Sequence, residues 1–253
     1  MTQENPAPTA AVLVIGNEIL SGRTQDVNLN WIATKLVARG IKLAEARVVP
    51  DIEDEIVAAV QALSGRYDYV FTTGGIGPTH DDITADSIAK AFGVPVIVHP
   101  QAKALLEGHY GEGKVSPARM RMARVPEGAI LIENTVSKAP GFRIENVFIM
   151  AGVPAIMRAM LDGIIPTLAE GLPFHQRSIA CHIAESVLAE PLGAIQNLHP
   201  ETDIGSYPWY RDGAFGVSLV ARGTDSAALD IVAQEISAMI RDLGGDPVLE
   251  VAD

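Results

Sequence analysis

The chain has 253 residues, enough for one large domain or for two domains of ordinary size. Hydrophobic residues make up 48% and charged residues 20%, a balance typical of a globular protein in water. The net charge of -12 argues against a nucleic-acid partner, because binding to that backbone needs clustered Lys and Arg. The net charge does not exclude a small phosphorylated ligand, since a few main-chain N–H groups at a helix N-terminus can hold a phosphate whatever the overall charge.

We predict neither a membrane span nor a targeting segment. No apolar run approaches the ~20 residues that a membrane helix needs. The first ten residues lack the basic flank and apolar core of a signal peptide. We therefore expect a cytoplasmic protein with no membrane partner. The single Cys181 excludes an intrachain disulfide framework and a thiolate-rich zinc site.

The first part of the chain alternates buried strands with amphipathic helices, after a loose tail at residues 1–9. The predicted strands are 11–15, 41–49, 69–71 and a short one at 94–98, and the predicted helices are 28–40, 51–65 and 82–92. Further along, the predicted elements are a basic helix opened by Ser116 and Pro117, a hairpin at 142–150 and a helix from 152 to about 169. This alternation predicts βαβ crossovers and a mainly parallel sheet.

The pattern changes at residues 171–175, and a smaller unit follows. Its predicted strands are 177–183, 203–207, 215–221 and 248–251, and its predicted helices are 185–198 and 225–243. The order βαββαβ is typical of a split-βαβ domain. We therefore predict a three-layer α/β/α domain with a mainly parallel sheet over residues 1–171, followed by a small α+β domain over residues 172–253.

The motif TTGGIGPTHDDIT, residues 72–84, lies between a strand and a helix. Gly74, Gly75 and Gly77 can take positive φ and let the main chain approach a ligand. The N–H groups of the following helix point at the same place, and ligands bind at the carboxyl ends of parallel strands. The hydroxyl groups that could add to such a phosphate site are those of Thr73, Thr79 and Thr84. The alternative is a tight connection that binds no ligand.

Two adjacent carboxylates, Asp81 and Asp82, follow this turn beside His80. Carboxylates next to a phosphate repel it unless a divalent cation lies between them, and hard oxygen ligands suit such a cation. We therefore predict a divalent metal ion, Mg, Mn or Co, at this point. The alternative is that one of the two aspartates only caps the next helix.

A second polar cluster, GNEILSGRTQDVN, follows the first predicted strand at the same end of the sheet. Glu18 and Asp26 are predicted metal ligands, and Ser21 and Asn28 are predicted ligand contacts. Asp51 follows the second strand at this end and could act as a base. The alternative is that Asp26, Asn28 or Asp51 caps a helix and that Glu18 is solvated.

A third loop, SKAPGF at residues 137–142, carries Lys138, which could neutralise a phosphate. The commoner role of such a lysine is a solvated surface residue. Both interpretations stay open from the sequence alone.

Taken together, GNEILSG, VPD, TTGGIGPTHDDIT, APGF and AGVP resemble the molybdopterin-binding domain family. The nearest likeness is to the branch found in competence/damage-inducible protein A and in eukaryotic FAD synthases. The likeness covers about residues 12–169, and GSYP at 205–208 resembles the small K-homology-like domain that follows in that branch. It implies a three-layer fold that binds a pterin or nucleotide diphosphate, in a homo-oligomer.

The resemblance also implies an active site. Residues matching Asp51 and Asp82 serve adenylyl transfer to molybdopterin or metal insertion in one branch of the family. In the other, which THDD at 79–82 resembles, the domain hydrolyses ADP-ribose or FAD pyrophosphates with a metal. This chain departs from the family pattern at Ala151 and at Ala155, where an acidic residue is common, which leaves catalysis open. The amidase domain of many competence proteins is not found in this sequence, so we expect no nicotinamide-mononucleotide deamidase activity.

These observations support three hypotheses. The first is a nucleotide pyrophosphatase, in which the glycine turn holds phosphates, Asp82 and its neighbours hold a cation, and His80 or Asp51 acts as base. The second is a pterin-nucleotide transferase in molybdenum cofactor biosynthesis, which would use the same crevice. The third is a nucleotide sensor without catalysis, suggested by the missing acidic residue at Ala155.

Overall fold

The computed structural model describes residues 7–211 and 213–250. The chain divides into two compact units, with the division between Gly171 and Leu172. None of the helices within the described ranges combines the length and the apolar character needed to cross a membrane.

The first unit contains a mixed sheet with helices on both sides. Its strands are β1 (Thr9–Ile15), β2 (Lys42–Val49), β3 (Tyr69–Thr73), β4 (Val96–Val98), β5 (Arg124–Pro126), β6 (Ile130–Ile132), β7 (Gly141–Ile144) and β8 (Val147–Met150). Its helices are α1 (Asn17–Leu20), α2 (Asn28–Ala38), α3 (Glu53–Ser64), α4 (Thr84–Phe92), α5 (Pro100–Tyr110), α6 (Pro117–Met120) and α7 (Pro154–Ile164).

The main sheet has the strand order β2-β1-β3-β8-β7-β6. The pairs β2–β1, β1–β3 and β3–β8 are parallel. Beyond β8 the sheet continues with the antiparallel pairs β8–β7 and β7–β6. Strands β4 and β5 form a separate antiparallel pair. The predicted mainly parallel sheet is therefore confirmed, as is the hairpin formed by β7 and β8.

The central strand β1 is buried on both faces, as its continuous apolar run predicts. Leu13 packs in a cluster with Ile56 of α3, whereas the neighbouring Val12 packs in a second cluster with Ile32 of α2. Because successive side chains of a strand point to opposite faces, each face of the sheet carries its own helix layer. The predicted three-layer α/β/α arrangement is confirmed.

The second unit contains strands β9 (His175–Cys181), β10 (Asp203–Arg211), β11 (Ala214–Gly223) and β12 (Val248–Glu250), with helices α8 (Glu185–Leu198) and α9 (Ser226–Asp242). The sheet order is β10-β11-β9-β12, and every pairing is antiparallel. Ile179 of β9 and Leu219 of β11 pack with Leu188 of α8 and Ile236 of α9. This is the predicted split-βαβ arrangement, with both helices on one face.

Several predicted element boundaries are wrong. The helix predicted from Asp82 begins at Thr84, and the helix predicted to reach Ala169 ends at Ile164. Helix α5 and strands β5 and β6 were not predicted. The reason is physical: α5 buries only Ala102 and Leu106, and the two strands have three residues each, so none shows a clear apolar period.

The prediction of a loose tail at residues 1–9 is wrong for the last of these residues. Strand β1 already begins at Thr9, and the carbonyl of Pro8 accepts a hydrogen bond from the N–H of Lys42 at 2.8 Å. The prediction for residues 1–6 lies outside the described residues, as does the placement of Val251 in the last strand.

The start of β1 is held by Asp68, and this contact generates a pH-dependent prediction. The main-chain N–H and the hydroxyl of Thr9 donate to Asp68 Oδ2 at 2.7 and 2.8 Å. Both bonds lower the pKa of Asp68 below its usual value, and the main-chain bond has the larger effect. The carboxylate therefore stabilises the fold above its unfolded-state pKa, and this contribution is lost as the pH falls through the folded-state pKa.

We expect Asp68→Asn to lower the free energy of unfolding at pH 7 and to reduce the further loss of stability below about pH 4. Urea denaturation at pH 7 and at pH 3 measures both effects. The control is Asp203→Asn, since Asp203 is exposed and makes no side-chain hydrogen bond to any described residue. Equal stability of the Asp68 variant and the unaltered protein at pH 7 would contradict the assignment.

Candidate functional site

The turn after β3 packs so closely against neighbouring main chain and side chain atoms that Gly74 and Gly75 leave no room for a Cβ atom. Gly74 has a φ of 107°, and a Cβ built on it would lie 2.1 Å from the carbonyl oxygen of Ile15. Gly75 has a φ of 66°, and its Cβ would lie 2.1 Å from Thr84 Oγ1. The N–H of Gly74 donates to the carbonyl of Met150 at 3.1 Å. The turn therefore joins the ends of β1, β3 and β8 and requires glycine at both positions.

Thr84, a predicted phosphate contact, closes this turn instead. Its side chain is fully buried, and its hydroxyl donates to the carbonyl of Gly74 at 3.0 Å. Its main-chain N–H donates to the carbonyl of Gly75, also at 3.0 Å. Because the hydroxyl proton is already used, Thr84 shapes the site rather than offering a donor to a ligand.

One cavity lies against the turn, and we name it the Gly-turn cavity. Its walls include Gly75, Gly77, Asp82, Asp86, Arg121, Arg124 and Phe142. The cavity has a volume of about 20 Å³, so it has room for little more than one water-sized group. An anionic group such as part of a phosphate could enter it, and the rest of a larger ligand would lie outside.

Asp82 faces the glycine turn, as the sequence predicts. Its Oδ2 atom lies 2.6 Å from the position that a Cβ on Gly77 would take. The same oxygen accepts hydrogen bonds from the N–H of Thr79 at 2.7 Å and from the Thr79 hydroxyl at 2.5 Å. Helix α4 begins only at Thr84, with Ile83 in the N-cap position. The aspartate thus orders the loop in front of the helix and does not cap the helix itself.

Two arginines in this cavity escaped the sequence analysis. Arg121 Nη2 donates to the main-chain carbonyl of Asp82 at 3.2 Å, and its buried Nε has no acceptor among the described residues. Arg124 Nη2 donates to Asp86 Oδ1 at 2.6 Å. The signal was present as the basic run RMRMAR at 119–124, which follows the predicted Ser116 helix start. Guanidinium groups therefore place positive charge in the walls of this cavity.

His80 and Asp81 lie outside the Gly-turn cavity. The side chain of His80 is 98% exposed and that of Asp81 is 62% exposed, with His80 Nδ1 at 3.9 Å from Asp81 Oδ1. Neither side chain lines the Gly-turn cavity, so their roles as base and metal ligand stay predictions. The two side chains lie outside because the chain turns outward between Thr79 and Asp82.

A second cavity, which we name the Asn28 cavity, lies at the carboxyl ends of β1 and β3 and has a volume of about 60 Å³. Its walls include Glu18, Asp26, Asn28, Thr73, Gly152 and Pro154. Asn28 is 4% exposed, and its Nδ2 donates to the carbonyl of Gly152 at 2.8 Å. Its Oδ1 atom is buried and has no donor among the described residues. A ligand with an N–H or O–H group would complete this site.

The other members of the predicted second cluster have mostly local roles. Asp26 lines the Asn28 cavity, but its Oδ1 also accepts the N–H of Leu29 at 2.8 Å at the start of α2. The hydroxyl of Ser21 donates to the carbonyl of Glu18 at 3.2 Å, and Ser21 lines neither cavity. Lys138 is exposed with a φ of 64° and also lines neither cavity. The ligand contacts of Ser21 and Lys138 therefore stay predictions.

Asp51 caps a helix, although not the one that the sequence suggests. Its carboxylate accepts the N–H of Asn17 at 2.9 Å, at the start of the short helix α1. Helix α3 has Ile52 in its N-cap position and receives no side-chain cap. Asp51 thus connects the loops after β1 and β2, and it lines neither cavity. Sequence spacing could not reveal this, because the partner lies 34 residues away.

In the part of the chain that the structure describes, side chains alone do not complete a metal site, and the divalent ion stays a prediction. Within residues 7–211 and 213–250, no three His, Cys, Asp or Glu side chains form a group that could hold a metal. Of the predicted ligands, Asp82 lies in the Gly-turn cavity, Asp81 faces solvent, and Glu18 and Asp26 line the Asn28 cavity. Each cavity thus offers two carboxylates at most, and in the Gly-turn cavity both lie near arginines.

The turn geometry predicts that Gly74→Ala is more damaging than the same change at another positive-φ glycine. Gly128 has a φ of 82° but has open space around its Cβ position, so Gly128→Ala should cost only the ~1–2 kcal/mol of left-handed strain. Gly74→Ala adds a clash with the Ile15 main chain. We expect a clearly larger loss in the free energy of unfolding for the Gly74 variant, measured by urea denaturation. Equal losses would contradict the close approach.

Comparison with known protein families gives two matches along the chain. The model described as a probable molybdopterin binding domain matches residues 11–170. The model described as the middle domain of FAD synthase matches residues 173–244.

Individual relatives resemble most of the chain. A protein of Archaeoglobus fulgidus is 34% identical over 197 residues, which cover 78% of this chain and 84% of the relative. A CinA-like protein of Gloeobacter violaceus is 32% identical, and the match covers 94% of this chain and 58% of that relative. Among solved structures, the CinA protein of unknown function from Thermoplasma acidophilum is 35% identical with a TM-score of 0.61, covering 64% of this chain and 99% of its own.

Proposed function

The chain belongs to the family of probable molybdopterin binding domains, and from this premise we propose that its first unit binds a phosphorylated pterin or nucleotide. The observation that carries the proposal is Arg121, whose guanidinium lies in the wall of the Gly-turn cavity without a carboxylate partner among the described residues. A phosphate oxygen in this cavity would meet that cation and the main chain of Gly75 and Gly77.

The charges around the cavity support a phosphate-bearing ligand. Arg124 is paired with Asp86, whereas Arg121 bonds only to the main-chain oxygen of Asp82 and leaves a buried donor unused. A buried donor without an acceptor costs about 1–3 kcal/mol. An anion that engages the Arg121 guanidinium would recover this free energy, and it would also balance the positive charge.

The Asn28 cavity supports recognition of the rest of the ligand. It lies at the carboxyl ends of parallel strands, where α/β sheets bind their ligands. Its unused acceptor, Asn28 Oδ1, suits an N–H group such as those of a pterin or purine ring. We propose that the ring is recognised here by hydrogen bonds.

We further propose hydrolysis of a nucleotide pyrophosphate of the ADP-ribose or FAD type. Water would attack one phosphorus atom, the bridging P–O bond would break, and the leaving phosphate would carry the developing negative charge. Arg121 and Arg124 are positioned to stabilise that charge, and Asp82 is the carboxylate nearest the turn that could accept the proton of water. A divalent cation would arrive with the substrate, because Mg²⁺ is commonly held through substrate phosphates.

Binding without catalysis is the second candidate function, and a specific observation favours it. Asp82 Oδ2 is already engaged by two hydrogen bonds from Thr79, and no described group of carboxylates can hold a metal ion. Those two bonds occupy the oxygen atom that would otherwise accept the proton of water. Under this reading, the protein binds the nucleotide or pterin tightly and leaves it unchanged.

The binding proposal predicts a specific loss in Arg121→Gln. We expect this change to weaken binding of ADP-ribose or FAD by about 10- to 100-fold, which matches the ~1.5–3 kcal/mol of a hydrogen bond to a charged group. Isothermal titration calorimetry measures it, with molybdopterin as a third ligand to test the pterin class. The control is Arg119→Gln, because Arg119 is exposed and lies over Tyr110 at 4.0 Å. Equal affinities for the two variants would contradict the site.

The hydrolysis proposal predicts that Asp82→Asn lowers turnover by about 100-fold while binding persists. Release of nucleoside monophosphate from ADP-ribose or FAD is followed with Mg, Mn or Co and without added metal. Asp81→Asn serves as the matched control, since Asp81 faces solvent one residue away. If the unaltered protein releases no monophosphate under any of these conditions, hydrolysis is refuted and binding without catalysis is retained.

A further inference from the structure

The sheet of the second unit has a face opposite its two helices, and that face carries a cavity of about 300 Å³. Leu219 of β11 points into the core with the helices, whereas the neighbouring Ser218 and Val220 line the cavity. We name it the sheet-face cavity. Its principal side chains are Ser178, Tyr207, Trp209, Arg211, Arg222 and Glu250.

Two aromatic rings lie against this face, and two glycines make room for them. A Cβ on Gly216 would lie 2.2 Å from the indole of Trp209, and a Cβ on Gly205 would lie 2.9 Å from the ring of Tyr207. Trp209 Nε1 donates to Ser218 Oγ at 3.1 Å, which fixes the orientation of the indole. The rings are two residues apart on one strand and therefore share a face. They form a pair of aromatic surfaces side by side on the sheet.

Each ring is accompanied by an arginine. The guanidinium carbon of Arg211 lies 5.2 Å from the Trp209 ring centroid, and that of Arg222 lies 5.3 Å from the Tyr207 ring centroid. Arg222 Nη1 also donates to the Tyr207 hydroxyl at 2.8 Å. Neither arginine forms an ion pair with a carboxylate among the described residues. Two cations on aromatic rings, without an ion-pair partner in the part of the chain that the structure describes, are unexpected at a net charge of -12, and they suit an anionic ligand.

The cavity also contains one acidic side chain, Glu250, whose pKa is lowered by the hydrogen bond from Ser178 and, to a smaller extent, by the charge of Arg211. Glu250 Oε2 accepts a hydrogen bond from the Ser178 hydroxyl at 2.5 Å. Because one carboxylate accompanies two guanidinium groups, the cavity retains a net positive charge. The ligand class that fits has a planar ring to stack on Trp209 or Tyr207 and a phosphate to pair with the arginines.

We propose that the sheet-face cavity binds a nucleoside monophosphate. The base stacks on Trp209 and Tyr207, and the phosphate pairs with Arg211 and Arg222. The volume of about 300 Å³ lies at the lower end of the range for small-molecule pockets, so the cavity suits one nucleotide. This site is separate from the phosphate site proposed for the first unit and does not depend on it.

A nucleic-acid strand is a poorer fit than a single nucleotide. Strand binding needs a groove of positive charge that follows several phosphates. Here two arginines stand alone beside Glu250, and Asp203 lies exposed on the same edge strand β10. The charge pattern thus suits one phosphate group and does not suit the continuous backbone of a nucleic-acid strand.

Tryptophan fluorescence tests the proposal on the full chain. The chain has two Trp, so Trp31→Phe leaves Trp209 as the only reporter. All measurements use this variant combined with Arg121→Gln, which removes the cation of the first unit's site. We expect AMP and GMP to quench the fluorescence saturably. Adenosine and ribose 5-phosphate, which lack the phosphate or the base, should bind about tenfold more weakly.

The matched variants separate this cavity from other surfaces. Adding Arg211→Gln and Arg222→Gln should weaken AMP binding by about tenfold or more, whereas Arg241→Gln, on the exposed end of α9, should not. Circular dichroism verifies folding, and calorimetry repeats each titration independently of the indole. Absence of AMP binding by both methods overturns the proposal. So does equal binding of inorganic phosphate, tighter binding of a single-stranded oligonucleotide, or AMP binding that survives loss of both arginines.

Discussion

The close approach of Gly74 to the carbonyl of Ile15 is the constraint on which the first unit's site depends. No Cβ fits in that space, so the turn after β3 can pass directly over the end of β1. From there Thr84 closes the turn through its hydroxyl and its N–H, and the N–H of Gly74 reaches β8. The site thus follows from backbone packing among three parallel strands, and the polar side chains are arranged around that packing.

Charge compensation is the second feature that shapes the site. Asp82 and Asp86 line the Gly-turn cavity, and Arg121 and Arg124 in the same walls balance their negative charge. Arg121 follows α6 and Arg124 is the first residue of β5, so both come from a segment far along the chain from the glycine turn. Arginine keeps its charge at any physiological pH and binds phosphate through several donors. The cavity can therefore be ready for an anion before any metal ion is present.

The sequence alone predicted the fold well because its signals are local. The apolar run at 11–15, the glycine turn and the order βαββαβ each depend on neighbours in the chain, and each was confirmed. Contacts between distant residues could not be predicted in this way. Asp51 bonds to Asn17, and Arg121 meets Asp82 across 39 residues, and no spacing rule encodes either pair. The loop at Thr79 likewise turns His80 outward for reasons of local geometry that its composition does not reveal.

A crystal structure of the protein with ADP-ribose tests the central claim most directly. The account predicts that one phosphate oxygen occupies the Gly-turn cavity, within hydrogen-bond distance of the Arg121 guanidinium and of the main-chain N–H of Gly75 or Gly77. It also predicts that the turn keeps its positive φ at Gly74 when the ligand is bound. Phosphates bound away from this cavity, with Arg121 unchanged and unengaged, would contradict it.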